Sequence, residues 1–457
     1  MLVAGLGIAW VGAVLLAPLD ATRRRWELVA LGVLALHLLA LVVLMALVVP
    51  GGPLETLVGA WPAGVGIRLR ADALGALFAV VSSTVLLLGL AHETAQGTTT
   101  RTTPALVLFM AAGLTGLFLT ADVFSFYVFF ELSMIAAYAL TATGGSAREL
   151  GAAFVFAVVN LLGSFLFLIG IGALYHVTGT LDMATVAERI TSVEPNSAIL
   201  AAACLFVAFA VKLGLFPFHF WLPSVYTASR PAVAAVLAGA LSNIGAYGLL
   251  RFGAGVLPGQ LELAGVALVV LGTASIIYGA LQALSRRATS EVLAYSAIGQ
   301  AGYIIVALAV GGTVGLYAAV LYAVVNALNK ALLFLSVGLR GWLVGAAFAV
   351  GAFSVAGVPP AAGFLGKVGL FQSGIAEGSA LLVALIFVGG ALSFVYMFQI
   401  YQHDHWRPTD ERPRPPDGPW QRAPALLAAA GVLVLGLWPE PLLAASEAAA
   451  GALRDPT

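Results

Sequence analysis

Residues 208–231 read AFAVKLGLFPFHFWLPSVYTASRP. Lys212 stands inside an apolar run that otherwise excludes charge, and five residues later Pro217 interrupts the run. Pro223 and Pro231 follow, and His219, Trp221, Tyr226 and Arg230 lie among them. In lipid, irregular backbone is tolerated only where protein buries it or where it lines a water-filled cavity. A proline-broken apolar segment carrying a lysine therefore points to an ion path through a membrane.

Composition extends that reading to the whole chain. Of 457 residues, 61% are hydrophobic and 9% charged, and the mean hydropathy is +1.03. A soluble domain carries about 25% charged residues, so this chain cannot cover a water-facing surface and is an all-α integral membrane protein. Fourteen apolar segments follow one another, at roughly 2–19, 28–49, 73–92, 104–121, 123–142, 150–176, 197–216, 229–252, 262–283, 291–311, 313–339, 343–375, 379–401 and 424–446. The seventh is broken at Pro217 and the twelfth at Pro359 and Pro360. The 52 glycines suit helices that pack closely in lipid. A formal net charge of +0 gives no basic surface for nucleic acid. The single cysteine, Cys204, excludes an intrachain disulfide and a cysteine-based cluster or zinc site, and reads as a small buried hydrophobe. Residues 1–19 have no basic region before them and no clean cleavage site after them, so they read as a retained first helix.

Three of the 21 basic residues are lysines, and all three fall inside apolar segments; the other eighteen are arginines in loops or at segment ends. Thirteen of those lie on one side. Arg68, Arg70, Arg189, Arg251 and Arg454 lie on the other. The positive-inside rule puts the richer side in the cytoplasm and both termini on the outer face. Residues 177–196, with Asp182, Glu188, Arg189 and Glu194, read as a short helix on the outer surface. Residues 402–423, QHDHWRPTDERPRPPDGPWQRA, read as a cytoplasmic, partly disordered linker. The pair His403 and His405 around Asp404 is read there as solvated rather than metal-binding.

An ionised side chain at the centre of a membrane helix costs about 2.5–3.5 kcal/mol, so Glu131, Lys212, Lys330 and Lys367 together would cost about 10 kcal/mol if unpaired. A carboxylate near an ammonium keeps both charged, and separating them loosens the proton on the lysine. Glu131 and Lys212 are thus expected to form a pair that opens and closes while Lys212 binds and releases a proton; a static ion pair joining two helices is the alternative. Lys330 lies four residues after Asn326 and beside Asn329, as in a hydrated polar stripe. Lys367 follows the VPP break, where a proton-path role competes with snorkelling to a membrane surface. Asp72 and Asp122 sit where helix caps are expected, and His37 and His176 read as satisfied core or interface residues. His219 is the histidine placed to relay protons. Ser242 and Asn243, and Ser296 with Gln300, could order water between the charged sites.

The stretches VKLGLFPFHFWLPSVYTASRPAVAAVLAGALSNIGAYGLLR, EVLAYSAIGQAGYIIVAL, NALNKALLFLSVG and GVPPAAGFLGKVGLF follow in the order found in the antiporter-like subunit superfamily, which the chain resembles over roughly residues 70–400. That superfamily includes subunits of Mrp-type monovalent cation/proton antiporters and the proton-pumping membrane subunits of complex I and related hydrogenases; FPFHFWLP with GVPPAAGFLGK looks most like the D-type member of the Mrp group. The resemblance implies about fourteen transmembrane helices with two inverted five-helix repeats, and broken helices 7 and 12. On this frame residues 1–103 hold helices 1–3, residues 104–252 the first repeat, 253–401 the second, 402–423 the linker, and 424–457 the last helix and tail. Glu131 matches the family's glutamate and Lys212 its partner lysine, while Lys330 and Lys367 match basic positions in the second half.

Departures fall at the centre. The chain reads LSNIG, with Asn243, where the family usually has LTKVG; Tyr322 and Asn326 stand where it often has two histidines; and SVYTASRP lacks the usual acidic residues. The proton path expected here comprises Glu131, Lys212, His219, Asn243, Lys330 and Lys367, with no cofactor and no metal. The implied function is a membrane subunit, not itself an enzyme, of a multi-subunit Na⁺ or K⁺/proton antiporter, working with other membrane subunits. Two alternatives stay open. One is a proton-translocating subunit of an NADH:quinone oxidoreductase or membrane hydrogenase complex; the other is a transport-deficient coupling or scaffold subunit.

Overall fold

The computed structural model describes residues 2–60, 66–406 and 417–454. Helices α1 (Leu2–Leu16) and α2 (Arg24–Gly51) precede an antiparallel pair, β1 (Leu54–Leu57) with β2 (Arg68–Ala71). Then come α3 (Ala73–Gln96), α4 (Thr103–Leu119), α5 (Val123–Ala142), α6 (Ala147–Thr178) and the short α7 (Met183–Arg189). The chain continues through α8 (Pro195–Leu213) and α9 (Trp221–Ala228). One run, Pro231–Val256, contains α10 (Pro231–Val236) and α11 (Asn243–Gly248), with π-helical turns at Leu237–Leu241 and Leu249–Val256. The remainder is α12 (Pro258–Ser285), α13 (Thr289–Val310), α14 (Gly312–Ser336), α15 (Trp342–Ala356), α16 (Gly363–Ala376), α17 (Ala380–Tyr401), α18 (Pro419–Leu437) and α19 (Glu440–Arg454). Among the described residues, eleven helices are long and apolar enough to cross a membrane, and Leu2–Leu16, Thr103–Leu119 and Trp342–Ala356 are shorter apolar helices. The chain is an integral membrane protein.

Local chemistry sets the helix starts. Asp72 accepts from the Gly75 N–H at 2.8 Å and Asp122 from the Ser125 N–H at 2.6 Å, satisfying donors that a helix start leaves free. Ser146 and Glu149 exchange bonds in a capping box at the start of α6. Asp182 caps α7, a short helix within the 177–196 loop.

The two proline breaks are each preceded by a glycine in a left-handed conformation, Gly214 (φ 72°) after α8 and Gly357 (φ 82°) after α15, where a side chain would be strained. Backbone groups at both breaks find partners. The Trp221 indole N–H donates to the Val211 carbonyl at 3.0 Å, and the Phe216 N–H donates to Ser275 Oγ at 3.0 Å. At the second break the Gly363 N–H donates to Ser354 Oγ at 2.9 Å and the Ala362 N–H to the Val432 carbonyl at 3.1 Å. Irregular backbone at membrane depth is thus satisfied by protein partners.

The packing axis is a contact that local sequence does not reveal. α3 and the Pro231–Val256 run lie antiparallel, joined at three levels. Arg251 binds Asp72 at 2.6 Å, Asn243 Nδ2 donates to Ser82 Oγ at 3.0 Å, and Arg230 binds Glu93 at 2.7 Å. Twenty-one residues separate Asp72 from Glu93 and twenty-one separate Arg230 from Arg251. At 1.5 Å per residue each pair of clamps stands about 30 Å apart, the thickness of a bilayer's hydrocarbon core. One ion pair therefore closes each end of the same helix pair.

The last third differs from the sequence reading in two places. Gln402–Trp406 continues α17 as a π-helical turn, and α18 starts at Pro419, so ordered helix enters the 402–423 stretch from both sides; residues 407–416 of that stretch lie outside the described residues. The apolar segment 424–446 is not one helix. Pro439 has no N–H to offer the carbonyl a turn earlier, and the chain divides there into α18 and α19. α19 packs on α3 and α14, and Arg454 donates to Thr313 Oγ1 at 2.7 Å.

Candidate functional site

The three lysines are all buried, with 5%, 6% and 4% exposure for Lys212, Lys330 and Lys367. Each is held differently.

Lys212, in the last turn of α8, reaches α6. Its Nζ donates to the Asn160 carbonyl at 2.9 Å and to Ser164 Oγ at 3.2 Å, and lies 4.2 Å from the centre of the Phe130 ring. The Asn160 carbonyl also accepts from Ser164 Oγ at 3.0 Å, so lysine and serine share one acceptor. Asn160 Oδ1 is buried without a hydrogen-bond partner among the described residues. A cavity of about 10 Å³ beside Lys212 is lined by Met134, Phe156, Trp221, Tyr226 and Ser242, among others. That is room for about one water.

Glu131 is not bonded to Lys212. It is half-buried on α5, and its Oε1 is buried with no hydrogen-bond partner among the described residues. Its helical neighbours at minus three and plus four, Val128 and Ile135, are 49% and 62% exposed. Glu131 thus belongs to the lateral face of the molecule. The expected pair is open in this structure, with the ammonium turned to α6.

His219 occupies the turn between α8 and α9. Its ring centre lies 5.4 Å from that of Phe216 and 4.5 Å from that of Tyr278, and Nδ1 is buried without a hydrogen-bond partner among the described residues. Asn243 is buried in α11, and its Nδ2 donates to Ser82 Oγ and to the Gly239 carbonyl, each at 3.0 Å. Both amide hydrogens are committed, so as a donor Asn243 is a bolt between helices rather than a free perch for water. Lys330, Asn326 and Asn329 are buried together along α14, with Asn329 Oδ1 unpartnered.

Lys367 does not snorkel. It lies in α16 under aromatic rings, its Nζ 3.3 Å from the centre of Tyr303 and 5.4 Å from that of Tyr322, and it has no hydrogen-bond partner among the described residues. Tyr322 donates to Gln300 Oε1, Gln300 Nε2 donates to the Tyr396 hydroxyl at 3.4 Å, and that hydroxyl bonds Ser296 at 2.9 Å and Ser393 at 3.0 Å. Ser296 and Gln300 therefore serve a tyrosine network. His37, as expected, is satisfied: Nδ1 meets the Gly5 carbonyl at 2.8 Å, and Nε2 meets Ser83 at 3.2 Å and Thr115 at 3.1 Å.

Sequence reasoning missed several residues of this site. Asn160 and Ser164 sit one turn apart in an otherwise apolar α6, a polar i, i+4 pair that could have been noticed. Glu93, just past the apolar segment 73–92, went unnoticed and is a buried partner of Arg230. Tyr303 carried no signal beyond its aromatic ring. No group of three or more His, Cys, Asp or Glu able to hold a metal occurs among the described residues.

Buried lysines on apolar helices, with breaks whose backbone is satisfied by protein, define a polytopic membrane protein of the ion-translocating kind. Residues 120–342 match the family described as NADH:quinone oxidoreductase/Mrp antiporter, TM. The protein named antiporter subunit mnhD2 in Staphylococcus saprophyticus is 31% identical over 394 residues, 81% of this chain and 78% of its own length. Its namesake in Staphylococcus aureus strain Mu3 is 29% identical, over 88% of this chain and 85% of its own. A chain in the structure of the Mrp complex from Dietzia sp. DQ12-45-1b superposes with a TM-score of 0.91 at 30% identity, over 100% of this chain and 97% of that one. A chain of the membrane-bound sulfane sulfur reductase, an archaeal respiratory membrane complex, gives 0.91 at 25% identity, over 99% and 97%. One from respiratory complex I of Thermus thermophilus gives 0.78 at 28%, over 96% and 98%. The chain belongs to the NADH:quinone oxidoreductase/Mrp antiporter family of membrane subunits.

Proposed function

We propose that this chain is a D-type membrane subunit of a multi-subunit monovalent cation/proton antiporter in a prokaryotic plasma membrane, and that it carries protons past buried Glu and Lys residues. It is a transporter subunit rather than an enzyme. The observation that carries the reading is the likeness over 100% of this chain, at 30% identity, to a chain of the Mrp complex. Fourteen spans are proposed, with segments 7 and 12 as broken helices and two inverted repeats over residues 104–252 and 253–401. Both termini face outward.

In this reading Glu131 and Lys212 are the switch. Lys212 bound to Asn160 and Ser164 is one position, and Lys212 swung to Glu131, whose Oε1 has no hydrogen-bond partner among the described residues, is the other. Oxygen acceptors favour the ammonium in both positions, and the passage between them, beside the small cavity, is where the proton leaves. His219, Asn243, Lys330 and Lys367 continue the route, with Asn243 acting through its bond to Ser82 rather than by titrating. A carboxylate on the same face as Val128 and Ile135 is costly against lipid, which supports a neighbouring membrane subunit covering that face.

The test is cation-driven proton movement in vesicles carrying the assembled complex. Glu131→Ala and Lys212→Ala should each abolish it while the complex still assembles. Unchanged movement in both, with assembly intact, ends the transport reading and leaves a scaffold subunit. The 0.91 TM-score with a respiratory membrane complex supports a second reading, proton translocation driven by redox chemistry. Subunits co-purifying with the native chain separate the two: cluster- or quinone-binding partners favour the second.

A further inference from the structure

We propose that Tyr303 and Tyr322 form an aromatic cage that positions the Lys367 ammonium, fixing it by ring faces where the Lys212 site uses oxygen atoms. The inference rests on the reading of Lys367 as a proton-path residue and adds how that lysine is held. A buried ammonium needs either hydrogen-bond acceptors or an electron-rich surface. Lys367 Nζ has no acceptor among the described residues, yet it lies 3.3 Å from one ring centre and 5.4 Å from another. The two rings come from different helices, α13 and α14, and meet with centres 5.5 Å apart at 57°. Their faces converge on an amine delivered from α16.

The ring, not the hydroxyl, is what Tyr303 contributes. Its oxygen is buried with no hydrogen-bond partner among the described residues and lies against Gly389 of α17, where an added Cβ would overlap it. Tyr322 does two jobs. It turns a face toward Lys367, and its hydroxyl donates to Gln300, whose amide reaches Tyr396. That network of neutral groups locks the Tyr322 ring in place. Glycines make the space: a Cβ at Gly357 would overlap the Lys367 stem, and one at Gly366 would lie 3.0 Å from the Tyr322 ring.

The elements packed against α16 supply no carboxylate in contact with the amine. α13 carries Glu291, Tyr295 and Tyr303; α14 carries Tyr317, Tyr322 and Lys330; α17 carries Tyr396 and Tyr401; α18 carries Arg422; and α15 carries no titratable group. Glu291 and Arg422 stand in the first turns of their helices.

The experiment measures cation-driven proton movement against pH in vesicles holding the assembled complex. Tyr303→Phe keeps the ring face and should retain clearly more movement than Tyr303→Leu. Replacing Tyr303 by phenylalanines bearing one, two and three fluorines keeps the shape while draining the ring face. Movement should fall stepwise, to about two- to thirtyfold below native, with the alkaline edge of the pH profile moving toward neutrality at each step. Tyr303→Leu should match the most fluorinated ring. A flat fluorine series, or a Tyr303→Phe as damaged as Tyr303→Leu, overturns the cage. Lys367→Ala separates this from the parent reading: if it leaves movement intact, Lys367 is not on the path; if it abolishes movement while the fluorine series stays flat, only the cage is wrong.

Discussion

The two halves of the chain hold their polar groups by different physics. Up to Arg251, four arginines are matched by carboxylates: Arg68 with Asp182 at 2.6 Å, Arg70 with Glu55 at 3.2 Å, Arg230 with Glu93 at 2.7 Å and Arg251 with Asp72 at 2.6 Å. Beyond Arg251 an ion pair joins the neighbours His403 and Asp404 when the histidine is protonated. Around Lys367, tyrosine rings face the ammonium, and Tyr322 is tied to a network of hydroxyls and an amide. A buried charge pair is intolerant of losing one member. Neutral networks are weaker per bond and degrade gradually. The first half should therefore fail sharply, the second by degrees.

The sharpest break comes at Lys212 itself. Lys212→Arg keeps a positive charge and donors for Asn160 and Ser164, but an arginine does not release its proton in a protein. If the residue only tied α8 to α6, arginine would serve. In the switch reading proton movement is abolished while the complex assembles as before. Movement at native rates in the arginine variant would show the pair to be static.

Next comes the clamp between α3 and the Pro231–Val256 run. Asp72 is 4% and Arg251 12% exposed at the side chain, so removing one partner strands a largely buried charge. Asp72→Ala and Arg251→Ala should each lower stability by about 3–5 kcal/mol, seen as an earlier denaturation midpoint in detergent. Replacing both by leucine should recover most of that loss, because the stranded charge is gone. A double variant as unstable as either single one would show that Asp72 matters through its cap on Gly75 instead.

Sequence patterns carried the helical framework because the signals are local. Long apolar runs, capping aspartates and the prolines of the two breaks each act within a few residues of themselves. The charged members of the site stood out for the same reason, since a lysine in an apolar run is anomalous wherever it folds. What stayed hidden was tertiary. Lys212 is held by a backbone carbonyl, that of Asn160, which no side-chain pattern encodes. Arg251 looked like an ordinary helix-end arginine until the fold set it against Asp72, 179 residues away. Tyr303 resembled any aromatic on a buried helix, and only the approach of α16 made its face a binding surface. The division at Pro439 was legible and was missed, because the apolar run continues on both sides of it.

The smallest effects draw the comparison most finely, because they delete one hydroxyl from each half. Ser164→Ala removes one of the two oxygens that hold the Lys212 ammonium, a bond to a charged group contributing about 1.5–3 kcal/mol. With the open position weakened, the switch stays closed for longer, and proton movement should slow by roughly tenfold. Ser296→Ala removes a bond between neutral groups, worth about 0.5–1.5 kcal/mol, and the Tyr396 hydroxyl keeps Ser393 and Gln300. Movement should change by less than about threefold. Measured side by side in the same vesicles, the two alanines should differ in that order. Equal effects would mean that the second half is as tightly coupled to its lysine as the first, and that neutral dipoles there act as one cooperative unit rather than as replaceable parts.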